Sequence, residues 1–366
     1  MTDSLDFSIT HDTFKIILKE KSKSKFKNSS WDNWFQHVFD EKSPVEIPNM
    51  LERVVRKYYE NDFDEWVQNF AGNLNHIWNE SSAHDLMKST EIKSPNKNSA
   101  IVIGRGPSLK KFNHLDILAN SNFSGKIICS DGILKDALES GVDPDKFPDF
   151  YVVSTDPYKE IELLYNHDIV DKFGSKIKGI FSTLMNPKAA NRARSSGIKI
   201  SWLHPLFDLN EGKKSFNKIA ALMVRTKNHP NGLPAIQTGG NVGTSAWFVS
   251  WQILKCNVVS LIGINHGWEK DDSLELIQSH GHNSNLQVLD RNDPKFNKLY
   301  PTVFNPDFKT YCILDPIFQY YSLALKEFIS RSPSSITTIN CTEGGSIFGD
   351  KIQSMHFKEF LSKYPK

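Results

Sequence analysis

The segment AIVIGRGPSL at residues 100–109 begins as an apolar run and ends in glycine, proline and serine. Glycine lets the backbone come close to a ligand, and a helix start offers N–H groups that can hold an anion. Proline suits the first turn of that helix and serine can cap it. A phosphate site is therefore one reading, and a tight structural turn is the alternative. The candidate phosphate-binding residues are Gly104, Gly106, Pro107 and Ser108.

A second glycine-rich segment, QTGGNVGTSA at residues 237–246, precedes an apolar helical segment. It also predicts a helix start that holds phosphate, with hydroxyl and amide side chains beside the N–H groups. It is not a Walker A loop, because it contains no GKS or GKT. Close packing of a helix on a sheet would also favour small residues here. The candidate ligand-binding residues are Gly239, Gly240, Asn241, Gly243, Thr244 and Ser245.

Two carboxylates each follow an apolar segment directly, Asp131 in SDG and Asp156 in STDP. Either could cap the helix that comes next. A carboxylate at the carboxyl edge of a sheet can instead hold a Mg²⁺ ion that bridges phosphate groups. We expect Asp131 to contact a ligand, and Asp156 to act in catalysis or as a magnesium ligand.

Three histidines, His266, His280 and His282, lie in one polar segment after a predicted strand. A neutral imidazole near a transferred group can act as general base or acid, and a charged one can hold a phosphate or carboxylate. Zinc is not favoured, because no cysteine accompanies them and the spacing matches no standard zinc site. Solvent-exposed loop histidines are the alternative. All three are candidate catalytic residues.

The elements that must position these residues alternate regularly from Ala100 onwards. Short apolar segments alternate with helical ones, which indicates βαβ units and a doubly wound, mostly parallel, Rossmann-like α/β sheet. Ligands bind such sheets outside the carboxyl ends of the strands, where the candidate residues occur. Another loop, INCTEGGSIFGD at residues 339–350, ends a further predicted strand. The other predicted strands cover residues 100–103, 126–130, 148–156, 176–183, 198–203 and 257–264.

Residues 1–98 differ from the rest and predict a helical accessory segment, followed by an α/β domain over residues 99–366. Apolar residues at helical spacing in 29–39 and 48–78 indicate two or three amphipathic helices. The polar stretch KSTEIKSPNKNS, residues 88–99, predicts a linker. Alternating lysines in KEKSKSKFK are more typical of a solvated face than of a membrane or nucleic-acid contact.

The composition narrows the class of protein. Lys+Arg 44 against Asp+Glu 42 gives no argument for nucleic acid as a partner. No stretch reaches the roughly 18 apolar residues of a membrane span, and the N-terminus lacks the pattern of a signal peptide, so we expect a cytoplasmic protein. The four cysteines are scattered, and three of them lie in or near apolar runs, which predicts reduced, packed thiols.

The order of these motifs resembles the 6-hydroxymethylpterin diphosphokinase MptE-like domain family. That family is linked to thiamine pyrophosphokinase-like folds and to the Maf-type (motility-associated) flagellin glycosyltransferases. The resemblance covers about residues 100–266 and implies a nucleotide-dependent transferase domain. It also implies that the first glycine loop faces the nucleotide phosphates, that Asp131 and Gly132 line the same cleft, and that residues 239–245 hold the donor or acceptor. The motifs that carry it are GRGPSL, SDG, GVDPDKFPDFYVVSTD, GGNVGTSA and LIGINH, with a further echo in NCTEGGSIFGD.

The resemblance leaves the reaction open. The diphosphokinases carry a TDLDG-like stretch whose two carboxylates can share Mg²⁺, whereas this chain has TDPY, in which only Asp156 matches. The histidine segment and TEGG look more like the Maf-type enzymes, which implies a glycosyltransferase with a CMP-activated nonulosonate-like donor and an acceptor held by the N-terminal helices. The alternatives are a Mg-ATP-dependent 6-hydroxymethyl-7,8-dihydropterin diphosphokinase and a non-catalytic nucleotide-binding module. The partner would be a nucleotide-linked donor, with a sugar, protein or pterin as acceptor.

Overall fold

The computed structural model describes residues 47–89, 98–207, 214–279, 290–292, 296–297 and 300–364. Each apolar segment predicted as a strand overlaps one of its strands, while several further short strands lie outside the predicted segments. They are β1 Ser81–Ser82, β2 Ser99–Ile103, β3 Lys126–Ser130, β4 Phe150–Ser154, β5 Lys178–Ser182, β6 Lys199–Pro205, β7 Ala235–Ile236, β8 Val258–Ile262, β9 Trp268–Glu269, β10 Thr302–Asn305, β11 Thr310–Ile313, β12 Thr337–Asn340 and β13 Ile352–Ser354.

Ten of these strands form one sheet in the order β1-β6-β5-β4-β3-β2-β8-β12-β13, with β7 also paired to β6. Every pairing within this sheet is parallel. The chain builds outward from β2 to β6 and then returns to place β8 on the other side of β2. The order therefore reverses between β2 and β8, and such a switch point leaves a crevice at the carboxyl ends of the strands. The doubly wound parallel α/β prediction is confirmed.

The central strands are buried on both faces, as a parallel sheet covered by helices requires. In β2, Ile101 and Ile103 belong to one apolar core, while Ala100 and Val102 belong to the core on the opposite face. Because side chains alternate along a strand, one continuous apolar run serves both layers. This explains why the sequence shows apolar runs rather than an apolar–polar alternation.

Helices cover the sheet and connect its strands. A π-helical turn, Val249–Ile253, continues the helix that begins at Val242. The α-helices are α1 Ile47–Asn79, α2 Ala83–Ser89, α3 Ser108–Lys111, α4 His114–Ala119, α5 Leu134–Glu139, α6 Glu162–Tyr165, α7 Asp168–Phe173, α8 Pro187–Ser195, α9 Phe216–Met223, α10 Val242–Phe248, α11 Leu274–Ser279, α12 Pro316–Ser330 and α13 Phe357–Lys363.

The N-terminal helical region differs from its prediction. Residues 48–78 lie in one helix of 33 residues, α1, rather than in separate helices, and residues 29–39 lie outside the described residues. Asn69 on α1 donates from Nδ2 to the carbonyl oxygens of Pro157 (2.9 Å) and Leu184 (3.1 Å). These two residues follow β4 and β5, so α1 is anchored at the carboxyl edge of the sheet. Of the predicted linker, residues 88–89 belong to α2 and residues 90–97 are outside the described ranges.

A small antiparallel sheet, β10-β11-β9, packs against the loop after β12. Asn305 at the end of β10 is buried and donates from Nδ2 to the carbonyl of Gly345 (2.9 Å). All four cysteines are buried and free, which confirms the prediction of packed thiols. A membrane-crossing helix, long and apolar enough for the purpose, does not occur in the described part of the chain.

Candidate functional site

The loop after β2 is held against the end of β8. The N–H of Gly104 donates to the carbonyl of Ile262 (2.9 Å), and the N–H of Gly106 donates to the carbonyl of Gly263 (2.7 Å). The prediction that this turn leaves N–H groups free for a phosphate is therefore wrong for both glycines. That Gly104 and Gly106 line a ligand site stays a prediction. In the structure, their N–H groups join the loop after β2 to the end of β8 at the switch point.

The same contact explains why these positions are glycine. A Cβ at Gly104 would lie 2.5 Å from the carbonyl oxygen of Gly263, and a Cβ at Gly106 would lie 2.1 Å from Oδ1 of Asn265. Real Cβ atoms do not come this close to other heavy atoms. Because they lack a Cβ, these two glycines allow the loops after β2 and β8 to approach this closely.

Ser108 is an internal contact rather than a helix cap. It is the first residue of α3, which follows Pro107 without a side-chain cap, and it is 1% exposed. Its Oγ donates to Oδ1 of Asn265 at 2.9 Å. The capping prediction for Ser108 is wrong, because the hydroxyl is used to join the loops after β2 and β8.

The second glycine-rich segment begins α10 as predicted, but its polar side chains bond to one another. Oδ1 of Asn241 accepts from the N–H of Thr244 (2.8 Å), and Oγ of Ser245 donates to the carbonyl of Asn241 (3.0 Å). Thr244 and Ser245 are fully buried. These hydrogen bonds cap the N-terminus of α10 and explain the polar side chains there without a ligand. Ligand contact by the two hydroxyls and by the Asn241 amide stays a prediction.

Gly239 and Gly240 in this segment have φ of +54° and +80°, a region that side chains rarely adopt. A Cβ at Gly240 would lie 2.6 Å from Cε1 of Tyr321 and 2.9 Å from Cε1 of Tyr320, both on α12. Gly243 is similarly close to the Cδ1 atom of Ile264, at 2.8 Å from an added Cβ. Close packing, the alternative reading of this segment, accounts for these three glycines.

Asp131 and Asp156 lie together at the ends of the adjacent strands β3 and β4. Asp131 is buried, and its Oδ2 accepts from Oγ of Ser154 (2.5 Å) while its Oδ1 accepts from the N–H of Gly132 (2.7 Å). Burial raises the pKa of Asp131 to about 6, against the lowering effects of Ser154, the Gly132 N–H and the charge of Arg105. Neither carboxylate acts as the predicted type of helix cap.

Asp156 has the higher pKa of the two. Burial is the main cause, the charge of Asp131 adds to it, and together they raise the pKa of Asp156 to about 7. Asp156 retains some exposure whereas Asp131 is buried, so Asp156 is the more accessible of the two from the carboxyl edge. Because both pKa values lie near neutrality, these carboxyl groups can exchange protons with a bound substrate.

His266 is buried rather than exposed in its loop. It is 7% exposed and has a positive φ of 41°, and its ring stacks on Phe318 with centroids 6.3 Å apart. Burial, followed by the charge of Lys326, lowers the pKa of His266 to about 3. The imidazole is therefore neutral at physiological pH, which excludes an imidazolium acid. Its Nδ1 is buried without a hydrogen-bond partner among the described residues. His280 and His282 lie outside the described residues.

A magnesium ion would fit the carboxylate pair. The described ranges contain no group of three or more His, Cys, Asp or Glu residues suited to a metal. Mg²⁺, however, is commonly bound through one or two carboxylates with phosphates and waters as the remaining ligands. Asp156 and Asp131 would hold such an ion, and its chemistry would be to neutralise charge on the phosphates of a bound nucleotide.

The loop after β12 is stabilised by a partly buried carboxylate, Glu343. Its oxygens accept hydrogen bonds from Nε2 of His114 (3.3 Å), Nδ1 of His356 (2.7 Å) and the N–H of Phe357 (3.0 Å). Partial burial raises the pKa of Glu343, but these hydrogen bonds outweigh it and lower the pKa to about 2. The TEGG segment thereby ties β12 to α4 and to the start of α13.

We expect Glu343→Gln to destabilise the fold by about 1–2 kcal/mol at pH 7, because it weakens hydrogen bonds made to a charged acceptor. The folded pKa lies below the usual 4.5, so the contribution is present above pH 4.5 and disappears as the pH falls towards 2. Urea unfolding at several pH values measures this. Glu359→Gln, an exposed position on α13, is the matched control. Equal stability of the Glu343 and Glu359 variants at pH 7 would contradict the assignment.

Sequence reasoning overlooked two residues of this edge, Arg105 and Tyr321. Arg105 is exposed within the glycine turn, and its positive charge lowers the pKa of Asp131. The pKa of Tyr321 on α12 is raised, first by burial and then by the charge of Asp156. The GRGPS motif contains a signal for Arg105, because an arginine between two fixed glycines must project at a strand end. No local signal brings Tyr321 to Asp156.

A family model described as 6-hydroxymethylpterin diphosphokinase MptE-like matches residues 68–271. This range begins within α1, so it includes residues 68–98 of the predicted accessory segment, and the division at residue 98 stays a prediction. No curated protein matches the sequence.

A solved structure with a similar fold is a Maf glycosyltransferase from Magnetospirillum magneticum AMB-1. The two are 15% identical in sequence, with a TM-score of 0.50, and the similarity covers 76% of this chain. It covers 39% of the other chain, so this chain spans about two-fifths of that protein's length. At this identity the likeness concerns the fold.

Proposed function

Since this chain belongs to the 6-hydroxymethylpterin diphosphokinase MptE-like family, we propose that it is a transferase that uses a nucleotide-activated donor and transfers a sugar. The observation that carries the proposal is the pair of carboxyl groups, Asp131 and Asp156, at the carboxyl edge of the sheet. Their pKa values near neutrality suit a group that accepts a proton from a hydroxyl nucleophile. The donor we propose is a CMP-activated nonulosonate-like sugar, in keeping with the Maf-type resemblance.

The two carboxyl groups have different surroundings and so different roles. Asp131 accepts from Ser154 and Gly132, which favours its ionised form. Asp156 has the higher pKa and is the more accessible of the two. Once Asp156 is ionised, it takes the proton of the acceptor hydroxyl while that oxygen bonds to the anomeric carbon. The bond from this carbon to the phosphate oxygen breaks, and its electron pair leaves with the nucleotide.

In this proposal the role of His266 is limited to hydrogen bonding with the substrate. A neutral imidazole with an unpartnered Nδ1 can accept or donate a hydrogen bond to a substrate, but it does not supply a proton from an imidazolium. We keep His266 as a substrate-orienting candidate. His280 and His282 stay predicted catalytic candidates. The cytoplasmic location and an acceptor site on the N-terminal helices also stay predictions.

A Mg-ATP-dependent diphosphokinase is the second candidate, and one observation favours it. The segment after β4 lacks the second carboxylate of the TDLDG-like stretch, but Asp131 from β3 provides a carboxylate beside Asp156 in space. The pair could therefore serve a metal–nucleotide complex. A non-catalytic nucleotide-binding module is the third candidate and would bind nucleotide without turnover.

Two incubations separate the candidates. In the first, the protein and a CMP-activated nonulosonate are followed for release of CMP, since water can replace an unknown acceptor. In the second, the protein, ATP, Mg²⁺ and 6-hydroxymethyl-7,8-dihydropterin are followed for AMP. Each is repeated with excess chelator and with the Asp156→Asn and Asp149→Asn variants. Asp149 is an exposed residue paired with Lys178 at the other end of β4, and is the matched control.

We expect CMP release that survives chelation, is lost in Asp156→Asn and is kept in Asp149→Asn. Formation of AMP that requires Mg²⁺ would replace the sugar-transfer proposal by the diphosphokinase. Nucleotide binding without either product would leave the non-catalytic module. Absence of both binding and turnover would overturn all three.

A further inference from the structure

The backbone of the first glycine turn fixes the position of one exposed cation, Arg105. Its two neighbours, Gly104 and Gly106, are each hydrogen-bonded to the end of β8, at 2.9 Å and 2.7 Å. Bonds on both sides leave the Cα of Arg105 little freedom to move relative to the switch point. The turn therefore offers no free N–H group at Gly104 or Gly106, but it exposes the side chain of Arg105.

The side chain of Arg105 extends over the loop after β3. An added Cβ at Gly132 would lie 3.2 Å from Cδ and 3.9 Å from Nη1 of Arg105, so the guanidinium lies beside the Gly132 backbone. The charge of Arg105 lowers the pKa of the neighbouring Asp131. The arginine therefore lies beside Asp131, one member of the carboxyl pair, over the carboxyl end of β3.

The guanidinium is exposed, and within the described ranges no carboxylate forms an ion pair with it. The other arginines of the sheet region differ in this respect. Arg192 pairs with Asp171 at 2.8 Å and Arg194 with Glu80 at 2.5 Å. A cation held in place by its backbone, next to Asp131 and without an ion-pair partner in the described part of the chain, is suited to a ligand that carries negative charge.

We propose that Arg105 binds an oxyanion of the donor and positions it against the carboxyl pair. This inference rests on the proposed function. A guanidinium presents parallel N–H donors that match the two oxygens of a phosphate or a carboxylate. The proposed donor carries both, a phosphate on its nucleotide and a carboxylate on its sugar. Arg105 recognises the shared oxyanion chemistry, and the test separates its two sources.

The test measures binding rather than turnover, by isothermal titration calorimetry at low salt. The probes are CMP, which has the phosphate, free N-acetylneuraminic acid, which has the carboxylate, and inorganic pyrophosphate, which has neither nucleoside nor sugar. The variants are Arg105→Ala and Arg105→Lys. Arg225→Ala removes another exposed arginine and is the matched control. Urea unfolding confirms that the variants are folded.

We expect Arg105→Ala to weaken binding of CMP or of the free sugar acid by about 10- to 100-fold, the range for hydrogen bonds between charged groups. Arg105→Lys keeps the charge without the paired donors and should recover part of the affinity. Arg225→Ala should bind like the unaltered protein. Whichever of the two probes loses affinity identifies the oxyanion as phosphate or carboxylate.

Unchanged affinity of Arg105→Ala for all three probes would overturn the inference. This holds even if the pH profile of turnover shifts, because Arg105 would then only alter the pKa of Asp131. Failure of the unaltered protein to bind any of the probes would overturn it as well. Pyrophosphate binding that depends on Arg105, without binding of CMP or the sugar acid, would support the inference while contradicting the proposed donor. Failure of the inference about Arg105 and failure of the proposed donor therefore give different results.

Discussion

Asp156→Asn is expected to abolish transfer and, at the same time, to make the folded protein more stable at pH 8. The amide cannot accept the proton of the acceptor hydroxyl, and loss of a general base typically costs about 10²- to 10⁴-fold in rate. The gain in stability has a separate cause. At pH 8 both Asp131 and Asp156 are ionised in the folded protein, although burial and their mutual repulsion oppose this.

The sign of the stability effect follows from the pKa values. The pKa of Asp156 is about 7 when folded, against the usual 3.8. Between these pH values the folded state binds more protons than the unfolded state, so the free energy of unfolding decreases as the pH rises. The destabilisation caused by ionising buried Asp156 is absent below pH 3.8 and complete above about pH 7. Removing it stabilises the protein by about 1–4 kcal/mol at pH 8, since one pKa unit corresponds to about 1.4 kcal/mol.

Urea unfolding of the Asp156→Asn variant at pH 5 and pH 8 measures this gain, which should be larger at pH 8. The control, Asp149→Asn, removes a surface ion pair with Lys178 and should change stability by no more than about 1 kcal/mol. Its activity should be unchanged. Full turnover by Asp156→Asn would remove the residue from the mechanism. A gain of equal size at both pH values would contradict the burial of an ionisable pair.

Gly106→Ala is expected to destabilise the protein by about 2–3 kcal/mol, at the upper part of the usual range for overpacking. The new Cβ would lie 2.1 Å from Oδ1 of Asn265 and 2.6 Å from the carbonyl oxygen of Gly263. The second atom belongs to the backbone at the end of β8, and the first is held by the Ser108 hydroxyl. Neither can move without breaking the contact between the loops after β2 and β8.

Denaturant unfolding measures the loss, and Gly132→Ala is the control. At Gly132 an added Cβ meets the flexible Arg105 side chain, with Cδ at 3.2 Å, so a change of under about 1 kcal/mol is expected. Gly106→Ala should also weaken oxyanion binding, because displacing the turn moves Arg105. A Gly106→Ala protein as stable as the unaltered one would show that the two loops are not in contact as described.

The order of the elements could be predicted from the sequence because it rests on local patterns. The predicted strand at residues 126–130 coincides with β3, and the apolar residues of β2 serve both faces of the sheet as a buried parallel strand requires. The glycine turns and strand-end carboxylates could be located for the same reason. The length of α1 could not, since helical spacing does not reveal whether two adjacent amphipathic segments are joined without a break.

The sequence by itself determined the alternation of strands and helices and the polar character of the strand ends, because hydrophobic periodicity and turn chemistry are local. Only the tertiary structure decided what those ends do. It brings Asp131 beside Asp156 because β3 and β4 are neighbours, and it buries His266 under the aromatic side chains of α12. It also bonds the N–H groups of Gly104 and Gly106 to the end of β8. Each outcome depends on pairing between segments distant along the chain, and it is this pairing that makes Arg105 rather than the glycine backbone the exposed donor at the switch point.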